Sequence, residues 1–217
     1  MKPRPTIIQE QAFQQADIVS ISDYVYQHGH KVPRIHEWEG PNQGKLVSEI
    51  YFWDWYNTPD IQKKLLHGLD DNIMDSAIVE HSFVLDSYYP YEIHCDSGWL
   101  ELKKQFEPWY LVIIPVTPNA SKTICFEQYE GNAKHFIHYK ENNEPLKEYI
   151  DDTYFKENLS HCWDHDQPYL TFEKEFTWDE GSVMYCDMTR YHSSNDYRSN
   201  GIDKKTCITL MTKKKIG

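Results

Sequence analysis

The sequence predicts a single, mainly β domain with flanking helices. Its 217 residues are 40% hydrophobic and 15% aromatic, which is enough apolar material to bury a core without disulfides or a structural metal. Most apolar segments are short runs of β-branched and aromatic residues between turn residues, as is typical of strands. The segment after Pro59 instead has apolar residues at helical spacing. We therefore expect a β-core with helical additions.

The first element that can be assigned is a helix beginning at Pro59. Thr58 is expected as its N-cap and Pro59 as its first residue, where a missing amide hydrogen removes no helical hydrogen bond. The apolar positions that follow at helical spacing are Ile61, Leu65, Leu66 and Leu69. We expect this stripe to pack on the sheet within an N-terminal support formed by residues 1–80. The secondary structure of residues 1–57 is not readable from the sequence.

The strands of the predicted core follow between about residues 81 and 212. The run from Phe83 to Ile93 is interrupted only by Pro90, which predicts two consecutive strands with a bend between them. The continuous apolar run 109–116 predicts a buried strand. The other strand candidates, in chain order, are 122–127, 168–172 continuing through 176–178, the segment that starts at Val183, and 205–211.

A long polar and aromatic insert, about 128–167, separates the two groups of strands. It shows no periodicity apart from a possible short helix at 144–150. Long irregular segments of compact domains are commonly functional, so we expect this insert to cover the open side of the core. Its cluster from His161 to Asp166 places nitrogen, sulfur and oxygen donors within six positions, but without a matching second pair we favour a structural role.

Charge and cysteine content exclude several classes of protein. A formal net charge of −12 disfavours nucleic-acid binding, which generally needs a basic surface. No segment approaches the roughly 20 apolar residues of a membrane span, so no membrane partner is expected. The five cysteines are an odd number without a C-x-x-C pair, which indicates reduced thiols and a cytoplasmic protein. The oligomeric state is open.

The most informative motif is His94-Cys95-Asp96, followed far downstream by His192. At the end of a strand, His94 and Asp96 would point to one face and Cys95 to the other. Two imidazoles and one carboxylate on one side of an ion leave the opposite positions open, as a non-haem Fe(II) site requires. A basic strand that starts at Lys205 follows His192 after a polar loop.

This arrangement resembles the 2-oxoglutarate/Fe(II)-dependent oxygenases, most closely their phytanoyl-CoA-hydroxylase-like branch. The likeness to that branch rests on Gly181-Ser182-Val183-Met184-Tyr185 and on His192-Ser193-Ser194. It implies a double-stranded β-helix core, a jelly roll similar to that of cupins. The sequence departs from the family in two ways. The basic residue of the family is usually arginine, whereas this chain has lysine, and the long interval between Asp96 and His192 requires a large insert.

The resemblance implies that His94, Asp96 and His192 are the iron ligands and that 2-oxoglutarate is the co-substrate. The implied reaction is hydroxylation of a C–H bond by dioxygen, with release of succinate and CO2. The substrate would be a small molecule or a peptidyl residue. Two alternatives stay open, a cupin-type metal- or ligand-binding protein without oxygenase activity and a β-sandwich interaction module.

The resemblance also implies a basic residue that pairs with the distal carboxylate of 2-oxoglutarate. We assign Lys205, with Lys204 and Arg198 as competitors, although lysine lacks the planar fork with which arginine grips a carboxylate. Lys205 is preferred because the strand phase then puts on its face the residues Cys207, Thr209 and Met211. Thr123 and Tyr110 could add hydroxyl hydrogen bonds to the same carboxylate, but their spacing alone does not select them.

Overall fold

A computed structural model describes residues 3–36, 43–100, 105–130 and 148–216. Within these ranges there are ten strands and four α-helices. The strands are β1 (Ile7–Gln9), β2 (His30–Ile35), β3 (Leu46–Phe52), β4 (Ala77–Ser87), β5 (Phe106–Pro115), β6 (Lys122–Tyr129), β7 (Phe172–Thr177), β8 (Val183–Asp187), β9 (Arg190–Ser194) and β10 (Lys205–Lys215). The helices are α1 (Gln15–His28), α2 (Pro59–Gly68), α3 (Asp71–Met74) and α4 (Asp152–Asn158).

The strands form two antiparallel sheets. The large sheet has the order β1-β8-β5-β10-β4-β3-β2, and the small sheet has the order β7-β6-β9. Neighbours in these sheets are largely distant in sequence, and β10, the last strand, pairs with β4 and β5 at the centre of the large sheet. This is the double-stranded β-helix that the sequence resemblance predicts.

Apolar clusters on both faces of the large sheet hold these elements together. Helices α1 and α2 pack through residues such as Ile21 and Leu65 on the outer face of the large sheet. A second cluster fills the space between the sheets, with Phe83 and Met184 from the large sheet against Phe176 from the small one. The space between the two sheets is therefore largely apolar.

The predicted helix at Pro59 is confirmed with Thr58 at its N-cap position, but Thr58 makes no side-chain capping hydrogen bond. Pro59 occupies the first turn and Ile61, Leu65 and Leu69 are buried. The Thr58 hydroxyl donates backward to the carbonyl of Asp54 at 2.8 Å instead of accepting from the helix. A short turn after Trp55 takes the hydroxyl that would otherwise cap the helix.

The N-terminal region is more than a support for the core. It contributes β1, β2 and β3 to the large sheet, where β3 pairs with β4, and helix α1 buries Ile18, Ile21 and Val25. The spacing of these three residues is helical and could have been recognised. The edge strand β2 could not, because most of its residues are exposed and it is held by its pairing with β3.

The second predicted strand before the H-x-D motif is absent. Strand β4 ends at Ser87, and the backbone then reaches His94 through a bend that contains Pro90. His94 joins the small sheet by a single bridge, in which its N–H donates to the His192 carbonyl at 3.0 Å and its carbonyl accepts from the His192 N–H at 2.8 Å. Asp96 then precedes a 3-10 turn, Ser97–Trp99.

The described residues of the insert do not lie over the open side of the core. Among them, Ile150, Phe155 and Leu159 pack on Ile124 and Phe126, on the outer face of the small sheet. The predicted helix at 144–150 falls mainly outside the described residues; residues 148–150 are not helical, and α4 follows them directly. The insert thus contributes a buttress of the small sheet.

No helix in the described ranges has both the length and the apolarity that crossing a membrane requires.

Candidate active site

A pocket of about 110 Å³ opens between the two sheets, at the end where β9 finishes and β10 begins. Its walls are mostly apolar. Ile50, Leu111 and Ile113 come from the large sheet, and Trp178 directly follows β7 of the small sheet. Polar groups converge near its opening. They include His94, Asp96, His192, Lys205 and Arg34.

His94, Asp96 and His192 meet in this pocket. One donor atom from each lies within 4.8 Å of the other two, and this is the only such group of three or more histidine, cysteine or acidic residues in the described ranges. His192 Nε2 is 3.3 Å from Asp96 Oδ2, and His94 Nε2 is 3.9 Å from Asp96 Oδ1. The two imidazole rings have centroids 4.5 Å apart. The backbone bridge between His94 and His192 brings together the two parts of the motif that are distant in sequence.

Backbone carbonyls orient both imidazoles. His94 Nδ1 is 2.7 Å from the Glu92 carbonyl, and His192 Nδ1 is 3.2 Å from the Arg190 carbonyl. A carbonyl can only accept, so each Nδ1 carries a hydrogen and donates it. In the neutral rings this leaves the Nε2 lone pairs directed toward Asp96, the tautomer that a metal ligand needs.

Asp96 and His192 form a buried ion pair in the absence of a cation. Burial favours the neutral acid, but the hydrogen bond and charge of His192 outweigh it and lower the pKa of Asp96. Burial likewise opposes the charged imidazole, whereas the hydrogen bond with Asp96 raises the pKa of His192 to about 10. A divalent cation could replace the shared proton and satisfy the same carboxylate.

Lys205 is 4% exposed and lies in the same pocket. Its Nζ is 4.0 Å from the ring centroid of Trp178 and 5.2 Å from that of Tyr197. Among the described residues, no carboxylate lies within ion-pair distance of it, and burial lowers the pKa of Lys205 to about 7. A buried ammonium held only by aromatic rings is strongly suited to an anionic ligand.

The two competing bases have other partners. Lys204 points away from the pocket and pairs with Asp86 at 3.2 Å. Arg198 donates to the carbonyl of Tyr88 at 2.9 Å and pairs with Asp203 at 3.6 Å. Neither competing side chain lines the pocket.

Strand parity arranges the rest of the Lys205 face. Cys207, Thr209 and Met211 all line the pocket, in agreement with the predicted strand phase. Thr123 lines it as well, and its hydroxyl accepts from Trp178 Nε1 at 3.0 Å. Tyr110 does not, because it belongs to the cluster between the large sheet and the helices.

The His161–Asp166 segment lies behind the small sheet. His161 Nε2 is 3.0 Å from the Tyr91 carbonyl, and the Cys162 thiol is 3.6 Å from the Ser193 hydroxyl. The His165 side chain is 64% exposed and adjoins Asp166. These residues do not converge on one point within the described chain, which agrees with the structural role expected for them.

Several residues in or beside the pocket escaped the sequence analysis. Trp178 and Tyr197 surround the Lys205 ammonium, and Arg34 and Trp99 stand at the opening. No local pattern marks them as functional. They meet only because strands distant in sequence become neighbours in the sheets.

The double-stranded β-helix, with two histidines and one aspartate in its pocket, was compared with known proteins. No protein-family profile matches the sequence, and no curated protein is significantly similar to it. Similar solved structures exist. The non-heme α-ketoglutarate-dependent carbocyclase SnoK from nogalamycin biosynthesis is 12% identical with a TM-score of 0.59, over 97% of this chain and 80% of SnoK.

Two further structures support the same fold. EvdO2 from Micromonospora carbonacea var. aurantiaca, complexed with 2-oxoglutarate, is 11% identical with a TM-score of 0.56, over 99% of this chain and 89% of that protein. The epimerase SnoN, in complex with Fe3+, α-ketoglutarate and nogalamycin RO, is 12% identical with a TM-score of 0.55, over 97% and 78%. At these identities the likeness establishes a shared fold.

Proposed function

We propose that this protein is an Fe(II)- and 2-oxoglutarate-dependent dioxygenase that hydroxylates a C–H bond of a small molecule, with release of succinate and CO2. The observation that carries the proposal is the presence, in one pocket, of the His94, Asp96 and His192 donors and of Lys205, which has no ion-pair partner among the described residues. A peptidyl substrate is the alternative within this class.

The donor set fits Fe(II). Around an ion with bonds of about 2.0–2.2 Å, neighbouring ligand atoms at right angles lie roughly 3 Å apart. His192 Nε2 lies 3.3 Å from Asp96 Oδ2 and His94 Nε2 lies 3.9 Å from Asp96 Oδ1, so both imidazoles face the carboxylate at separations near this value. Two imidazoles and one carboxylate are the facial ligand set of non-haem Fe(II) oxygenases, which leaves open positions for co-substrate and dioxygen.

The other residues of the pocket bind, orient and exclude water. Lys205 would neutralise the distal carboxylate of 2-oxoglutarate, while the keto acid end lies toward the metal ligands. Its buried position makes the pairing strong, because few water molecules compete with it. Thr123 offers a hydroxyl beside the same end of the pocket. The iron, when bound, supplies the activation of dioxygen, and the apolar walls keep the oxidant from water.

The comparisons support the same chemistry by analogy. SnoN was solved with Fe3+ and α-ketoglutarate, and EvdO2 with 2-oxoglutarate. Nearer kinship with the phytanoyl-CoA-hydroxylase-like branch rests on the sequence motifs alone. The five cysteines are free thiols, which suits a cytoplasmic location where a ferrous site stays reduced.

A cupin-type metal-binding protein without oxygenase activity is the competing function. It would explain the three metal donors equally well. It would not explain Lys205, because a buried cation is costly unless an anion pairs with it.

Anaerobic titration with Fe(II) and then 2-oxoglutarate tests the proposal. The chelate of the keto acid on iron has a weak visible charge-transfer band, which we expect for the wild type. Asp96→Ala should lose the band because the only anionic ligand is gone. Asp203→Ala is the matched control, since its side chain is 94% exposed and should not affect the band. A wild type without the band, or an undiminished band in Asp96→Ala, would contradict the proposal.

A further inference from the structure

A polar row crosses the inner face of the large sheet, from exposed Arg34 at the opening of the pocket to buried Lys205. Arg34 in β2 is paired with Ser48 in β3, Ser48 with Ser87 in β4, and Ser87 with Lys205 in β10. The row therefore has a cation at each end and two hydroxyls between them. Arg34, Ser87 and Lys205 all line the pocket.

The next row toward the floor of the pocket is apolar. It consists of Val32, Ile50, Leu85 and Cys207 in the same four strands. Since residues two apart on a strand share a face, both rows face the cavity. The pocket thus combines an apolar body with a charged opening, which is the form of a site for a molecule with an apolar portion and a charged end.

The two cations of the polar row, Arg34 and Lys205, lie at different places in the pocket. Three strand intervals of about 4.8 Å separate their backbones by roughly 14 Å. The Arg34 guanidinium rests 5.1 Å from the ring centroid of Trp99, close to the metal donors, whereas Lys205 Nζ rests 4.0 Å from that of Trp178. One 2-oxoglutarate held by Lys205 would leave Arg34 with no anion.

The surroundings of Arg34 are prepared for such an anion. Within the described ranges no carboxylate forms an ion pair with it, although Lys31 on the same strand pairs with Glu49. The Tyr91 hydroxyl beside it is held by Ser48 Oγ at 2.7 Å. The Tyr91 ring also borders the metal donors, with its centroid 5.5 Å from that of His94.

We infer that the substrate is a small molecule with an apolar body and an oxyanion, and that Arg34 binds the oxyanion at the opening of the pocket. Trp99 supports the guanidinium and Tyr91 borders the same site. The net charge of −12 repels polyanions at long range, so a single carboxylate or phosphate is the group that fits. Arg34 then determines specificity by placing the substrate next to the metal donors. The inference rests on the proposed function for the role of the metal.

Ligand-observed NMR with matched probe pairs tests the inference. The pairs are phenylacetate with phenylacetamide, indole-3-acetate with indole-3-acetamide, and phenyl phosphate with benzyl alcohol. Each is titrated into the protein loaded with Zn(II) and 2-oxoglutarate and into the metal-free protein. We expect the wild type to prefer the anion in at least one pair by about tenfold or more, as a charged hydrogen bond of about 1.5 kcal/mol would give.

The variants separate Arg34 from general electrostatics. Arg34→Gln should reduce the preference to about threefold or less, and Arg34→Lys should keep some of it because the charge remains. Lys31→Gln removes a charge from the same strand, three residues before Arg34, where the side chain does not line the pocket, and should keep the full preference. No anion preference in the wild type, or the same preference in Arg34→Gln, would overturn the inference.

The same variants distinguish failure of this inference from failure of the proposed function. The anaerobic Fe(II)/2-oxoglutarate band should be unchanged in Arg34→Gln. Loss of that band in Arg34→Gln but not in Lys205→Met would make Arg34 the partner of the co-substrate and overturn the inference. A wild type that prefers anionic probes when metal-free but never forms the chelate would support the anion site and refute the oxygenase.

Discussion

Replacing Lys205 with methionine should stabilise the metal-free protein and at the same time weaken 2-oxoglutarate binding. Burial lowers the pKa of Lys205 from 10.5 to about 7, a difference that corresponds to ~5 kcal/mol of cost for the charged form. Methionine has a similar length and no charge, but it loses the contact with the Trp178 ring, worth about 2 kcal/mol. We therefore expect a net gain of about 2–3 kcal/mol in the free energy of unfolding near pH 6.

The gain should depend on pH in a defined direction. Below about pH 7, Lys205 is charged in both the folded and the unfolded protein, so the folded state carries the whole cost. Between about pH 7 and 10.5, only the unfolded chain keeps the proton, and the stability of the wild type rises with pH. The advantage of Lys205→Met should shrink over this window. Urea unfolding of both proteins at about pH 6 and about pH 10 measures it.

Binding should change in the opposite direction. Without the ammonium the distal carboxylate of 2-oxoglutarate is buried unpaired, which costs a few kcal/mol, or roughly two to four decades in affinity. Above about pH 7 the wild type should also take up a proton when it binds the dianion, visible by calorimetry in buffers of different ionisation enthalpy. Lys204→Met is the control, because Lys204 points away from the pocket. A Lys205→Met protein that is less stable than wild type near pH 6 and binds 2-oxoglutarate normally would refute the reasoning.

Three further outcomes are expected. Asp96→Ala should weaken Fe(II) binding in anaerobic equilibrium dialysis by at least about 100-fold, because losing a ligand costs more than losing its hydrogen-bonding support. Gly181→Ala should lower the free energy of unfolding in urea by about 3 kcal/mol or more, since φ is +67° and a Cβ would lie 2.3 Å from the Phe13 carbonyl oxygen. Gly201→Ala is the control, because its φ is +77° but the surrounding space is open, and it should lower the same quantity by only about 1–2 kcal/mol. Phe155→Ala should cost about 3–5 kcal/mol because the ring is 1% exposed against the small sheet, and a change within about 1 kcal/mol would show that the insert does not buttress the core.

Features that depend on a few consecutive residues were predictable. The helix at Pro59 follows from a proline at its first turn and apolar residues at helical spacing, both of which are local. Strand parity predicted that Cys207, Thr209 and Met211 would share the face of Lys205, and the pocket contains all four. The alternation of side chains along a strand can be predicted without knowing which strands pair with it.

Two details of the local predictions failed because other backbone groups bind the residues concerned. Thr58 was expected to cap the helix, but its hydroxyl found the Asp54 carbonyl in the preceding turn. The strand expected before His94 is a bend with a single bridge to His192, so strand alternation is not what directs His94 and Asp96. Their convergence comes from one pair of backbone hydrogen bonds and from the 3-10 turn after Asp96.

By itself, the sequence determined which donors and which cation this protein has and on which face of its last strand Lys205 lies, because side-chain type and strand alternation are local properties. Only the tertiary structure decided that His192 lies beside His94, that Trp178 covers Lys205, and that Arg34 ends the same row as Lys205. Each of these depends on which strands pair and in which register. A shift of one residue would turn Arg34 to the outer face, and that register is set by the burial of the whole sheet.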